Sequence, residues 1–100
     1  MSFYVTVRFK ADPIKAHDIL RDNPDLEEAI LKGIYEHGLI RCTRLVRDGE
    51  FLDIDEWPSE KERDAFNAAA GAQLKKWREL MGDPDTETQT WTSAPDEGSF

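Results

Sequence analysis

The stretch from Leu39 to Trp57 constrains the fold of this chain most, because its two halves predict each other as a β-hairpin. Asp48-Gly49 lies at its middle, and this dipeptide is typical of a two-residue type I′ turn, whose central residues both need a positive φ. With the turn placed there, acids face arginines and apolar residues face apolar residues: Arg47 with Glu50, Arg44 with Asp53, Arg41 with Glu56, Val46 with Phe51, Leu45 with Leu52 and Ile40 with Trp57. Such pairs stabilise a sheet by about 0.2 to 1 kcal/mol each, and a shift of one residue would lose them. The sequence therefore predicts both the hairpin and its register.

Periodicity and end signals predict the elements before and after the hairpin. Residues 3–10 alternate apolar and polar side chains as a β-strand does, and residues 86–93 read as a threonine-rich last strand. Between the first strand and the hairpin, Asp12 and Asn23 each precede a proline, which is typical of a helix start. We therefore expect a helical connection that is broken near Asn23 and ends at Gly38, where a left-handed backbone suits glycine.

A second helix is predicted after the hairpin. Ser59 begins a capping box, and an apolar stripe continues from there to a stop at Gly82. Gly71 inside this helix indicates a close helix–sheet contact or a local break. The resulting order, βαββαβ, predicts an α+β, ferredoxin-like fold with a four-stranded antiparallel sheet, in which the first and third strands are central. We expect residues 1–93 to form a single domain and residues 94–100 to form a C-terminal tail.

The two faces of the predicted sheet differ in polarity. We expect the helices to cover an apolar face that carries Phe3, Val5, Val7, Phe9, Leu45, Leu52 and Ile54. The opposite, mixed face would carry Tyr4, Thr6, Arg8, Cys42, Arg44, Asp53, Asp55 and Trp57. This assignment places Arg8 beside Asp55, which has no basic partner within the hairpin. A face of this kind is too polar for the core of a monomer and too aromatic for plain surface, so we expect it to contact a partner or a ligand.

Composition narrows the classes of partner. A formal net charge of -8 argues against nucleic acid and against anionic membrane surfaces. The chain of 100 residues is small enough to leave apolar surface exposed as a monomer, which favours oligomerisation. Its single cysteine, Cys42, allows no internal disulfide and is predicted to be a buried thiol. Because neither a signal peptide nor a membrane-spanning run is recognisable, we expect a cytoplasmic protein. No metal-ligand spacing, phosphate-binding loop or nucleophile elbow is recognisable either.

Three local features resemble one known superfamily. They are a strand that ends in Asp55-Glu56-Trp57, a Ser59-initiated helix with Phe66 seven residues later, and Gly38-Leu39 before the second strand. Over residues 3–93 the chain resembles the dimeric α+β barrel superfamily, and within it the antibiotic biosynthesis monooxygenase-like domains. The resemblance implies a homodimer in which two sheets pack face to face as a dimeric α+β barrel, with the helices outside. Such a dimer would cover the mixed face.

The resemblance also implies an activity. Some members of the family oxygenate aromatic polyketides without metal or flavin, by making the substrate itself an electron-rich anion that reduces dioxygen. The chain departs from them at Asp53, which stands where these enzymes carry an asparagine four residues before a tryptophan. Haem-degrading relatives bind iron through a histidine of the second helix, whereas Lys75, Lys76 and Trp77 occupy that region here. We therefore expect neither haem nor another cofactor.

These patterns nominate the residues of a site. Catalytic roles are predicted for Trp57, Asp53, His37 and Arg8, and substrate contacts for Tyr4, Asp55, Phe66, Asn67 and Trp77. Each has a structural alternative, since the tryptophans suit an interface or a core, His37 suits a helix C-terminus, and arginine–aspartate pairs suit structural ion pairs. Two functions stay open. One is a cofactor-independent monooxygenase acting on a small apolar or aromatic molecule, and the other is a non-catalytic ligand-binding or dimer-assembly domain.

Overall fold

A computed structural model of the chain describes residues 2–94. In chain order the elements are β1 (Phe3–Phe9), α1 (Pro13–Asp22), α2 (Pro24–Glu36), β2 (Arg41–Arg47), β3 (Glu50–Trp57), α3 (Glu60–Leu80) and β4 (Thr86–Thr92). The strands form one antiparallel sheet in the order β2-β3-β1-β4, which confirms the predicted ferredoxin-like α+β fold with β1 and β3 at its centre. The predicted tail lies, from residue 95 onward, outside the described residues, so the division into domain and tail stays a prediction.

The predicted helix ends are confirmed. The Asp12 carboxylate accepts a hydrogen bond of 3.0 Å from the backbone of Ile14, and the Ser59 hydroxyl accepts one of 3.3 Å from Glu62. Asn23 separates α1 from α2, as the repeated proline signal predicted. The prediction for Gly71 is wrong, because α3 continues through it and a Cβ there would meet nothing within 4 Å.

The hairpin register is confirmed, but its turn type is not. Every predicted partner within β2 and β3 pairs as expected, from Arg47 with Glu50 to Arg41 with Glu56. At the turn only Gly49 takes a positive φ, of 76°, whereas a type I′ turn would also need one at Asp48. A residue with a Cβ pays a steric cost in the left-handed region, and the negative φ of Asp48 avoids that cost.

The predicted division of the sheet into two faces is wrong. Val5 lies opposite Asp55 and Val7 opposite Asp53, and residues directly opposite each other on antiparallel strands point to the same face. The face covered by the helices therefore combines the apolar residues of β1 with residues of β2 and β3 that were predicted on the other face, namely Cys42, Arg44, Asp53, Asp55 and Trp57. Phe51, which the prediction left on neither face, lies there too. Tyr4, Thr6 and Arg8 lie on the helix-free face, together with Leu45, Leu52 and Ile54.

The size of the aromatic side chains explains this arrangement. Four alternate residues of β3 share one face of the strand, namely Phe51, Asp53, Asp55 and Trp57. The two aromatic side chains are at most 2% exposed. Burial of two aromatic side chains removes more apolar surface from water than burial of Leu52 and Ile54 would. The cost of placing Asp53 on the same face is lowered by Arg44, which pairs with it there.

Two apolar clusters join the helices to the sheet. In the first, Phe9 stacks on Phe51 with ring centroids 4.6 Å apart, and Trp77 meets Phe9 edge-on at 5.4 Å. In the second, the rings of Trp57 and Phe66 lie 5.0 Å apart. The two clusters share half-buried neighbours and leave a space between them. In the described part of the chain, none of the three helices combines the length and the apolar character that crossing a bilayer requires.

Candidate functional site

A cavity of about 650 Å³ lies between the sheet and the helices. Its walls are mainly apolar and come from both clusters, with Val5, Val7, Trp57, Phe66 and Trp77 among them. The volume falls within the range of about 300 to 1,000 Å³ that is usual for small-molecule sites. The cavity exists because β2 and β4, at the two edges of the sheet, are covered less closely by the helices than the centre is.

Six of the nine predicted site residues line this cavity. They are Asp53, Asp55, Trp57, Phe66, Asn67 and Trp77. The other three do not line it, because Arg8 and Tyr4 lie on the helix-free face and His37 lies at the end of α2. The structure brings the six together by stacking alternate residues of β3 beneath one side of α3. What each of these residues does there stays a prediction.

The first polar feature of the cavity is the pair Arg44–Asp53. The guanidinium donates from Nε and Nη2 to the two carboxylate oxygens over 2.7 and 2.9 Å, and it lies 4.5 Å from the centre of the Phe51 ring. Asp53 is only 8% exposed, so its charge is neutralised where water has little access. The pair is thus committed internally, because Arg44 occupies both carboxylate oxygens of Asp53.

The second polar feature is Asp55, two residues further along β3. Its pKa is raised, first by burial of the carboxyl and then by repulsion from Asp53, although the Cys42 thiol donates a hydrogen bond that opposes the shift. Cys42 as a whole residue is exposed on an edge strand, contrary to the prediction, although its thiol group is partly shielded from water. Burial of the thiol group itself, together with the neighbouring carboxylates, raises the pKa of Cys42 to about 12. The thiol therefore stays protonated at neutral pH.

The third polar feature, Arg63, was not among the predicted site residues. It lines the cavity from α3 and lies on the same side of that helix as Phe66 and Asn67. With the Asn67 amide oriented by its neighbours, the amide oxygen lies 3.1 to 3.2 Å from Nε, Nη1 and Nη2 of Arg63, over the face of the guanidinium. Helical spacing could have identified it, because residues three and four positions before a predicted site residue share its face.

The residues left outside the cavity have structural partners. On the helix-free face, Arg8 donates to the two carboxylate oxygens of Glu50 over 2.9 and 3.1 Å, so the predicted pairing of Arg8 with Asp55 is wrong. Hydrogen bonds from Arg8 and Arg47 lower the pKa of Glu50 to about 2. His37 occupies the C-cap of α2, and its Nδ1 lies 3.8 Å from Glu62. Within residues 2–94, no three His, Cys, Asp or Glu side chains converge as ligands for a metal ion.

The cavity thus combines an apolar lining that suits a small, mainly apolar molecule with polar groups that can accept one proton from it. Aromatic and aliphatic side chains line most of it, a carboxylate with a raised pKa can accept a proton, and an arginine can hold a negative oxygen. These polar groups lie on β2, β3 and α3, so regular elements rather than loops position them.

Comparison with known proteins identifies the fold. No protein-family model matches the sequence, and no curated protein matches it either. Rv0793 from Mycobacterium tuberculosis matches in three dimensions with a TM-score of 0.64 at 19% identity, over 99% of this chain and 100% of that one. SnoaB, a cofactor-independent oxygenase from Streptomyces nogalater, gives a TM-score of 0.66 at 13% identity over 98% of both chains. A structure of an antibiotic biosynthesis monooxygenase gives 0.62 at 16% identity, over 93% of this chain and 99% of that one.

These matches agree with the predicted resemblance. The chain has the fold of the antibiotic biosynthesis monooxygenase-like proteins, across nearly its whole length. At identities below 20% the likeness concerns the fold, and a fold does not by itself determine an activity.

Proposed function

We propose, from this fold and the cavity within it, that the protein binds a small, mainly apolar aromatic molecule and oxygenates it without a cofactor. The observation that carries the proposal is the cavity of about 650 Å³, whose mainly apolar lining includes Asp55, a carboxyl with a raised pKa. A carboxylate of this kind accepts a proton more readily than an exposed one, and apolar surroundings strengthen its interaction with a nearby charge. SnoaB, which has the same fold, is a cofactor-independent oxygenase.

The proposed reaction needs only a hydroxylated aromatic substrate and dioxygen. The substrate O–H bond breaks, the proton passes to Asp55, and the electron pair stays on the substrate. The resulting anion reduces dioxygen and forms a carbon–oxygen bond at the ring carbon opposite the hydroxyl, giving a hydroperoxide that loses water to leave a carbonyl. Overall, the hydroxyl O–H, the ring C–H opposite it and O₂ become two carbonyl groups and H₂O, so the substrate supplies all four electrons.

A second function, binding without catalysis, is favoured by one observation. Asp53 stands where a neutral amide was expected from the resemblance, and its charge is taken up by Arg44 rather than offered to a ligand. In this second function the cavity would hold an aromatic molecule, and the paired charges would only maintain the shape of the site. The two functions differ in one measurable property, the consumption of dioxygen.

We also propose that the protein acts as a homodimer through the helix-free face of the sheet. Leu45 and Trp91 on this face are each 52% exposed, and Leu52 and Ile54 beside them are half-buried. Apolar side chains gathered on one face suit an interface better than contact with water does. The cavity lies on the opposite side of the sheet, so the dimer would support the site without closing it. The cytoplasmic location stays a prediction of the sequence.

Oxygen uptake with hydroxylated three-ring aromatics, such as anthrone, tests the proposal. We expect wild-type protein to consume one O₂ per molecule converted, and the product to carry one labelled oxygen when ¹⁸O₂ is supplied. Asp55→Asn should abolish uptake while ligand binding, followed by tryptophan fluorescence, persists. Asp48→Asn, which removes an exposed acid in the hairpin turn, is the matched control and should leave both unchanged.

The outcomes separate the two functions. Binding without oxygen uptake across the panel would overturn the monooxygenase and support a binding protein. Absence of binding would overturn both.

A further inference from the structure

Arg63 is a cation on the cavity wall that has no close carboxylate partner among residues 2–94. Its side chain is 22% exposed, and its one ion pair among the described residues is a contact of 3.8 Å with Asp64. That distance is too long for a hydrogen bond, and Asp64 itself is 62% exposed, so water screens the interaction. A mostly buried guanidinium with so weak a partner is costly unless another anion approaches it.

Asn67 fixes the direction of this cation without neutralising it. The amide oxygen lies 3.1 to 3.2 Å from all three guanidinium nitrogens, over the face of the planar group. A neutral amide can orient the planar group but carries no net charge. By contrast, Arg44 is fully committed to a carboxylate through two hydrogen bonds. Of these two arginines in the cavity, Arg63 is therefore the one held in place with its charge still available.

Asp55 provides the opposite charge on the same cavity. The positive charge of Arg63 is one of the influences that lower the pKa of Asp55, which places the two groups within electrostatic reach. Within residues 2–94, however, no ion pair of 4.0 Å or less joins them. Other charged groups on the cavity wall are Glu27, Lys75 and Arg78, of which the two cations are exposed.

We propose that Arg63 determines ligand specificity by holding the oxygen of an aromatic or enolic hydroxyl while Asp55 takes its proton. The inference rests on the proposed function and names the class of molecule that the cavity accepts. The ligand O–H bond breaks, the proton moves to the Asp55 carboxylate, and the oxygen keeps the electron pair and accepts from the Arg63 guanidinium.

Charge balance selects a hydroxyl over a permanent anion. With Arg44 and Asp53 paired, Asp55 and Arg63 contribute one negative and one positive charge to the space between them. A neutral hydroxyl that ionises there only moves a proton within the site, so the net charge stays zero. A carboxylate ligand would add a second negative charge beside Asp55, where like charges repel, and the other cations of the wall, Lys75 and Arg78, are exposed and screened by water. The site therefore favours hydroxylated aromatics over aromatic acids.

Titration of a coloured probe tests this inference. 2-Hydroxyanthraquinone absorbs differently as a phenol and as a phenolate, and anthraquinone is the matched molecule without the hydroxyl. In the wild-type protein we expect the phenolate band of the bound probe to appear about one pH unit or more below that of the free probe. Arg63→Gln should remove this shift and weaken binding of the hydroxylated probe by about tenfold or more, with anthraquinone binding unchanged.

Two further variants make the test specific. Lys75→Gln removes another cation of α3 that lines the cavity but is exposed, and it should leave the shift intact. Arg63→Lys keeps the charge and loses the planar fork, so it should give an intermediate shift if Arg63→Gln does not fold. The inference is overturned if wild-type protein binds the probe and Arg63→Gln changes its titration no more than Lys75→Gln does. If wild-type protein binds neither quinone, the proposed small-molecule site fails, and the inference fails with it.

Discussion

Arg44 holds Asp53 across the hairpin through two parallel hydrogen bonds, of 2.7 and 2.9 Å, on the side of the sheet that the helices cover. The same guanidinium lies over the rings of Phe51 and Trp77, at 4.5 and 5.8 Å from their centres. This pair makes an acidic residue compatible with the face that also buries the large aromatics of β3. Four predictions follow from it and from its surroundings.

Arg44→Met should destabilise the protein, because it leaves the buried carboxylate of Asp53 without its partner. Loss of one partner of a buried polar pair lowers the free energy of unfolding by about 1 to 3 kcal/mol. Urea denaturation of the variant and of wild type would measure this difference. Arg41→Met is the matched control, since Arg41 lies on the same strand, points to the opposite face and is exposed. Equal losses in the two variants would show that the pair with Asp53 contributes nothing particular.

Asp55→Asn should stabilise the protein near neutral pH. Burial raises the pKa of Asp55 above its ordinary value of 3.8, so the folded protein holds this proton more tightly than the unfolded chain does. Its charge therefore opposes folding at pH values above the ordinary pKa. The gain from Asp55→Asn should be full above the raised pKa, shrink as the pH falls through it, and vanish below 3.8.

Urea denaturation at about pH 7 and about pH 3 measures this dependence, with Asp48→Asn as the exposed control. A gain of the same size at both pH values would contradict an electrostatic origin.

Gly71→Ala and Gly33→Ala should have opposite effects. A Cβ at Gly71 meets nothing within 4 Å, so alanine should raise the free energy of unfolding by up to about 1 kcal/mol through helix propensity. A Cβ at Gly33 would lie 3.2 Å from the Phe66 ring and 3.4 Å from Ala70, where α2 crosses α3. Phe66 is buried against Trp57 and cannot move away freely, so overpacking should outweigh the gain in propensity. Thermal unfolding of the two variants compares them, and stabilisation by Gly33→Ala would show that the helices can separate.

Leu45→Glu should dissociate the proposed homodimer. Leu45 is exposed on the helix-free face, where a buried charge at an interface would be costly. Its neighbour Val46 is also exposed but points to the helix-covered face, so Val46→Glu is the matched control. Light scattering at micromolar concentration should give the mass of a dimer for wild type and Val46→Glu, and that of a monomer for Leu45→Glu. A monomeric wild type would remove the dimer altogether.

Much of the site could be predicted, because helical and strand periodicity are local. Asp53, Asp55 and Trp57 alternate along β3, and Phe66 and Asn67 follow one turn inside α3, so all of them were nominated from the sequence. Arg63 was missed although it shares the helical face of Phe66 and Asn67. Its role depends on the absence of a close carboxylate, and such a relation in space has no local signature.

Arg8 and His37 were nominated and lie elsewhere. The prediction aligned β1 with β3 so that Arg8 lay beside Asp55. In the actual register Arg8 pairs with Glu50. For His37, the alternative role at the end of a helix agrees with its position at the C-cap of α2. Glu50 satisfies the Arg8 guanidinium, whereas His37 lies 3.8 Å from Glu62, and neither residue lines the cavity.

By itself the sequence determined the order of the elements, the breaks between them and the pairing of β2 with β3, because turns, caps and cross-strand pairs are set by residues close along the chain. Only the tertiary structure decided which side of that hairpin the helices cover. That choice depends on the register between β1 and β3, which lie more than 40 residues apart, and on the burial of Phe51 and Trp57 with Asp53 neutralised by Arg44. As a result, the side of the sheet that carries Trp57, which was expected to meet a partner, forms the wall of a cavity.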